Sequence, residues 1–135
     1  MNTKQILVID DEDDIRQLIQ TCLEIMGGWN VLTATSGHQG LLVAQSSQPD
    51  AILLDVMMPD MDGLATFQKL QANPLTKHIP VILLTARGRT SDQRLFTQLG
   101  IKNIISKPFN PKKLAFQVAA ALNYNILIHS NTFSY

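Results

Sequence analysis

Five short apolar runs recur along the 135 residues, at Ile6–Ile9, Asn30–Ala34, Ala51–Leu54, Val81–Leu84 and Asn103–Ser106. Three of them, Ile6–Ile9, Ala51–Leu54 and Val81–Leu84, are apolar at every consecutive position. A strand that alternates has one wet face; a strand that does not is covered on both, as in parallel sheets sandwiched between helices. The stretches between the runs have helical period. Ile15, Leu18, Ile19, Cys22, Leu23 and Met26 fall on one helix face, and Leu114, Val118, Ala121 and Leu122 repeat the spacing near the end. Cap chemistry marks the same boundaries. Ser36 with Gln39 reads as a capping box, and Asn110-Pro111 as an N-cap with a proline at the first helical position. Gly27-Gly28 and Gly100 stand where the first and fourth helices should stop. The pattern predicts five βα units: an α/β fold with a doubly wound, five-stranded parallel sheet and five helices.

Charge is balanced in total, with 11 basic and 11 acidic side chains, which argues against direct binding to nucleic acid. It is not balanced along the chain. Residues 1–67 hold ten acids and two bases, whereas residues 68–135 hold nine bases and one acid, Asp92. Five acids stand consecutively at 10–14, a crowding that repels itself unless a cation is near. The single cysteine, Cys22, excludes an internal disulfide and a thiolate metal site, and is read as core filling. His38, His78 and His129 share no metal-ligand spacing and are read as surface residues. No apolar run is long enough for a membrane span or a leader, so a soluble cytoplasmic domain is expected.

Open α/β sheets bind ligands at the C-terminal ends of their strands. The first strand runs into Asp10 and Asp11, the third into Asp55, the fourth into Thr85 and the fifth into Lys107. Three carboxylates without histidine or cysteine suit a hard cation, Mg²⁺ or Mn²⁺. An ammonium and a hydroxyl beside them suit the oxygens of a phosphoryl group, and Asp55 is placed as a carboxylate nucleophile. Asp13 and Asp14 read as acids at a helix N-terminus, favoured by its dipole.

On these residues the chain resembles the receiver domains of two-component response regulators over about residues 4–123. The likeness rests on ILVIDDE at 6–12, LLDVMMPDMDG at 53–63, LTA at 84–86 and SKPF at 106–109. It implies a flavodoxin-like sheet of order 2-1-3-4-5. It also implies that Asp55 accepts a phosphoryl group from a histidine kinase or phosphotransfer protein. By the same resemblance Asp11, Asp55 and the Met57 carbonyl would hold the metal directly, and Asp10 through a water. Lys107, Thr85 and the Ala86 backbone would meet the phosphoryl oxygens. The Lys107–Pro108 peptide would be cis, and Gly63 would let the loop after Pro59 enter the third helix. Met57 and Arg87 occupy positions that tend to control access of water.

One position departs from the family. Receivers usually carry an aromatic ring three residues before the lysine, and here that residue is Ile104. The expected function is a stand-alone receiver whose phosphorylation switches protein–protein contact, with no catalysis beyond its own phosphorylation and slow dephosphorylation. The basic face around the fourth helix, fifth strand and fifth helix is the expected partner surface, and a homodimer is a further option. Two other readings compete: a phosphorylation-independent interaction module, and an aspartate-nucleophile phosphatase of the haloacid dehalogenase type. Asp11–Ile15 fits only the first three positions of the latter's D-x-D-x-[TV] run. Residues 1–123 are taken as the domain. Residues 124–135 carry no Asp, Glu, Lys or Arg, and read as a helix extension, a docking segment or a frayed end.

Overall fold

Five strands, β1 (Gln5–Ile9), β2 (Asn30–Ala34), β3 (Ala51–Asp55), β4 (Val81–Thr85) and β5 (Asn103–Ser106), form one parallel sheet. Their order is β2-β1-β3-β4-β5, as the resemblance implied. The computed structural model describes residues 3–58, 61–86, 94, 96–101 and 103–124. The helices are α1 (Asp13–Gly27), α2 (Gly37–Ser47), α3 (Gly63–Ala72), α4, of which residues 94 and 96–98 are described, and α5 (Leu114–Leu122). The architecture is the flavodoxin-like α/β fold. Arg87, Lys102 and residues 125–135 lie outside the described part, and with them the tail beyond Tyr124.

The apolar runs are continuous because successive side chains feed two different cores. Ile6, Val8, Leu53, Leu84 and Ile105 pack with α1 and α5. Leu7, Ile9, Leu54, Leu83 and Phe96 pack on the opposite face, with α2 and α3. Strands buried on both sides need apolar residues at both parities.

The α1 face is buried at Ile19, Cys22 and Leu23, but Leu18 is exposed, one position beyond the packed stripe. Gly28 closes α1 in the left-handed conformation (φ 71°), its N–H bonded to the Glu24 carbonyl. Two cap expectations need correction. Gln39 accepts from the N–H and hydroxyl of Thr35, so only the Ser36 half of the capping box forms, by accepting from the Gln39 N–H. Asn110 accepts from the Lys112 N–H and organises a turn at 111–113; regular helix begins only at Leu114. A short Asx side chain bonds equally well to a turn or to a helix start, so the sequence signal was the same for both.

Gly63 opens α3 directly against the end of β3, with its N–H donating to the Val56 carbonyl at 2.8 Å. A Cβ there would stand 2.4 Å from the Asp55 carbonyl oxygen and 2.6 Å from the Val56 Cα. Close approach, not a left-handed turn, therefore demands glycine, and the obstacle is backbone that cannot rotate away. Gly63→Ala is expected to lose about 1–3 kcal/mol in denaturant unfolding, the range for overpacking. Unchanged stability would show that the β3–α3 junction relaxes freely.

Candidate functional site

The alternation that builds the two cores also aims the polar residues at the rim. Asp10 continues the parity of Val8, Asp55 that of Leu53 and Lys107 that of Ile105, all residues of the α1/α5 core. Register brings them level. Ile9 pairs with Leu54 and Asp55 with Leu84, and the Lys107 N–H donates to the Thr85 carbonyl at 2.9 Å. Thr85 continues the parity of Leu83 and so belongs to the other face, the one that Ile104 packs against.

The structure brings the expected residues together. Lys107 Nζ lies 3.1 Å from Asp55 Oδ1 and 3.4 Å from Asp10 Oδ2. Asp10, Asp55 and Thr85 are fully or almost fully buried, and Lys107 is partly exposed. Asp10 Oδ1 accepts from the Glu12 N–H at 2.9 Å, and Asp55 Oδ1 from the Met57 N–H at 3.3 Å. Oxygens of Asp10, Asp11 and Asp55 lie within 4.8 Å of one another. Among the described residues, Asp11 Oδ1 and Asp55 Oδ2 are buried with no hydrogen-bond partner. Two unsatisfied buried carboxylate oxygens facing a third carboxylate form a donor set that fits a hard divalent cation.

The remaining expectations divide. The Lys107–Pro108 peptide is cis. Met57 is 53% exposed beside the site, and Ile104 is half-buried. Ala86 is exposed and joins Glu12, Ile15, Leu18, Pro108 and Phe109 around a pocket of about 350 Å³ next to Lys107. Arg87 falls outside the described residues, and so does any role for it. Cys22 is buried in the core, and His38 and His78 are exposed. Asp13 is paired on its own helix with Arg16.

Arg16 was not singled out in the sequence. Its Nη1 donates to the Asp10 carbonyl at 3.0 Å while Nη2 holds Asp13, so it pins the acidic loop from behind. The signal was there: a lone arginine three residues past Asp13 in an acid-rich half.

Burial holds the Asp55 carboxyl above its ordinary value of 3.8, and the Asp10 charge adds to it; Lys107 and the Met57 N–H offset this only in part. For Lys107, burial alone would lower the ammonium's affinity for its proton, but Asp10 and Asp55 outweigh it and raise it above 10.5. A raised acid binds its proton more tightly folded than unfolded. Stability therefore falls as pH rises from 3.8 through the folded-state value of Asp55, and stays reduced at neutrality. The Lys107 contribution is fully present below 10.5 and is lost as pH rises through its folded-state value. Asp55→Asn is accordingly expected to melt roughly 2–6 °C above the unsubstituted protein at pH 7 in EDTA. Mg²⁺ should raise the melting temperature of the unsubstituted protein more than that of the variant. If the variant melts at the same temperature in EDTA, or lower, the ionised carboxylate carries no burial penalty.

The family model of the response regulator receiver domain matches residues 6–119. A probable transcriptional regulator ycf27 of Cyanophora paradoxa is 38% identical over 122 residues, covering 90% of this chain and 49% of the relative. The alkaline phosphatase synthesis transcriptional regulatory protein PhoP of Bacillus subtilis is 39% identical, covering 88% and 48%. The chain thus spans about half the length of these curated relatives. Among solved structures, the Vibrio cholerae chemotaxis protein CheY4 superposes with a TM-score of 0.82 at 28% identity, covering 88% of this chain and 98% of that one. Strand order, the acid cluster, the lysine and the family match agree, and the chain belongs to the response-regulator receiver family.

Proposed function

We propose that this domain is a phosphorylation-controlled switch in which Asp55 accepts a phosphoryl group from a phosphohistidine of a kinase or phosphotransfer protein, changing which protein the domain contacts. The observation that supports it best is the state of the Asp55 carboxylate. One oxygen is engaged by Lys107 and the Met57 N–H; the other is buried without a hydrogen-bond partner among the described residues. A carboxylate kept short of donors retains lone-pair density for attack on phosphorus.

Asp11 and Asp55 would hold Mg²⁺ or Mn²⁺ directly, with Asp10 acting through a water and the Met57 carbonyl completing the protein's share. When bound, that cation supplies positive charge against the phosphoryl oxygens and offsets the repulsion among the acids. The rest falls to this chain. An Asp55 oxygen forms the new P–O bond as the P–N bond to the donor imidazole breaks; the ring nitrogen keeps the electron pair and takes up a proton. Lys107 already spans Asp10 and Asp55, so its ammonium stands where charge on the incoming group must be met. Thr85 and the Ala86 N–H supply hydrogen bonds to the same oxygens from the end of β4. Turnover is confined to the domain's own acyl phosphate, its formation and slow hydrolysis.

The signal would leave through a protein partner on the face formed by α4, β5 and α5, which carries Arg94, Lys112 and Lys113. That the relatives are named transcriptional regulators supports an output in regulated assembly.

Incubation with Mg²⁺ and acetyl phosphate, followed by intact mass, should show one added phosphoryl group, absent with EDTA and absent in Asp55→Asn. Lys107→Ala should slow its appearance by about 10²-fold, the scale for losing one preorganised electrostatic contact. Labelling that persists in the Asp55 variant would overturn the assignment.

A further inference from the structure

An apolar groove of about 900 Å³ runs along the outer side of α5, lined by Met26, Phe116, Gln117 and Ala120, with Lys112 and Lys113 at its far end. It lies away from the acid cluster and is not used by the proposed phosphoryl chemistry. Met26 comes from the last turn of α1, so the groove bridges two helices that share one core.

The chain leaves α5 beside this groove. Asn123 takes the left-handed conformation (φ 60°), and the Tyr124 N–H donates to the Ala119 carbonyl at 2.8 Å, so the backbone turns off the axis of α5 at its end. Tyr124 then packs edge-on against Trp29, with ring centroids 5.9 Å apart, under the ammonium of Lys4. Trp29 itself follows Gly27 and Gly28 at the end of α1, three residues from Met26. The exit is therefore fixed at the Met26 end of the groove.

We propose that the apolar tripeptide Ile126-Leu127-Ile128 docks in this groove, as an intramolecular cover over α1 and α5. Lengths agree. Moving back along α5 from Tyr124 to Ala120 and Phe116 spans roughly 6 and 12 Å at the helical rise. An extended chain reaches residues 126 and 128 at about 7 and 13 Å beyond Tyr124. Composition agrees as well: residues 124–135 contain no Asp, Glu, Lys or Arg, so no like charge opposes seating them beside Lys112 and Lys113. A segment tethered this closely has an effective concentration on the order of millimolar, which favours it over a second copy at ordinary protein concentrations.

The test uses the full chain and its Ile126→Ser/Leu127→Ser/Ile128→Ser variant, oxidised with hydrogen peroxide and followed by peptide mass. Met26 lines the groove, and the exposed Met57 serves as internal reference. Docking predicts that Met26 oxidises several-fold faster in the variant while Met57 is unchanged, with light scattering reporting a monomer for both. An Ala120→Arg chain, altered at an exposed position on the groove wall, should be cut faster by chymotrypsin after Leu127. Equal Met26 rates with no gain in cleavage would overturn the proposal. So would Met26 protection that grows with protein concentration alongside a dimer, since the cover would then be a second copy.

Discussion

Asp10 and Asp55 are both buried, and between them the described structure places one ammonium, that of Lys107. At an effective dielectric of about 20, unit charges 4 Å apart interact by about 4 kcal/mol, against a net domain stability of about 5–15 kcal/mol. A counter-charge relieves repulsion on that scale, so the lysine's position serves stability as well as chemistry. It is also an incomplete remedy. The Asp55 carboxyl remains raised, and Asp11 Oδ1 and Asp55 Oδ2 remain without partners among the described residues. The domain thus carries a local deficit of positive charge, which is what makes a divalent cation welcome there.

The parallel sheet is what brings these charges together. A parallel sheet lines up every strand's C-terminal end on one rim, so residues 10, 55, 85 and 107 meet although they are far apart in sequence. Parity then sorts them. Asp10, Asp55 and Lys107 extend the α1/α5 core, and Thr85 extends the other. Arg16 completes the arrangement from α1 by holding the Asp10 carbonyl, fixing the backbone from which Asp10 and Asp11 project.

This division also explains what was legible beforehand. Strand positions could be read because two-sided burial leaves no polar residue within Ile6–Ile9, Ala51–Leu54 or Val81–Leu84, and the rim acids are the first polar residues after the runs. Helix boundaries were harder, because they turn on single hydrogen bonds. Asn110 caps a turn instead of α5, and Gln39 reaches Thr35 instead of Ser36. Arg16 stood three residues past Asp13, which gave its pairing there, but its bond to the Asp10 carbonyl depends on how the loop folds back over α1 and has no sequence pattern. The steric demand at Gly63 was hidden for a similar reason: its obstacle is the Asp55 carbonyl, eight residues earlier in sequence and across a loop.

Ile104 sits on the Thr85 side of the sheet, half-buried against the α2/α3 core. Leu83 pairs with Ile104 and Thr85 with Ser106, so β5 follows any shift of the β4 end through direct backbone bonds. A tyrosine could trade a buried site for a wet one because its hydroxyl is satisfied in either. An isoleucine has no polar atom to exchange and a stiff, β-branched χ1, so outward rotation would only expose apolar surface. Under the proposed phosphorylation, then, Ile104 would act as a fixed packing element, and movement of Thr85 would pass through the backbone pairing of β4 with β5. The readout would lie in how α4 seats Phe96 against the core, not in a swinging ring.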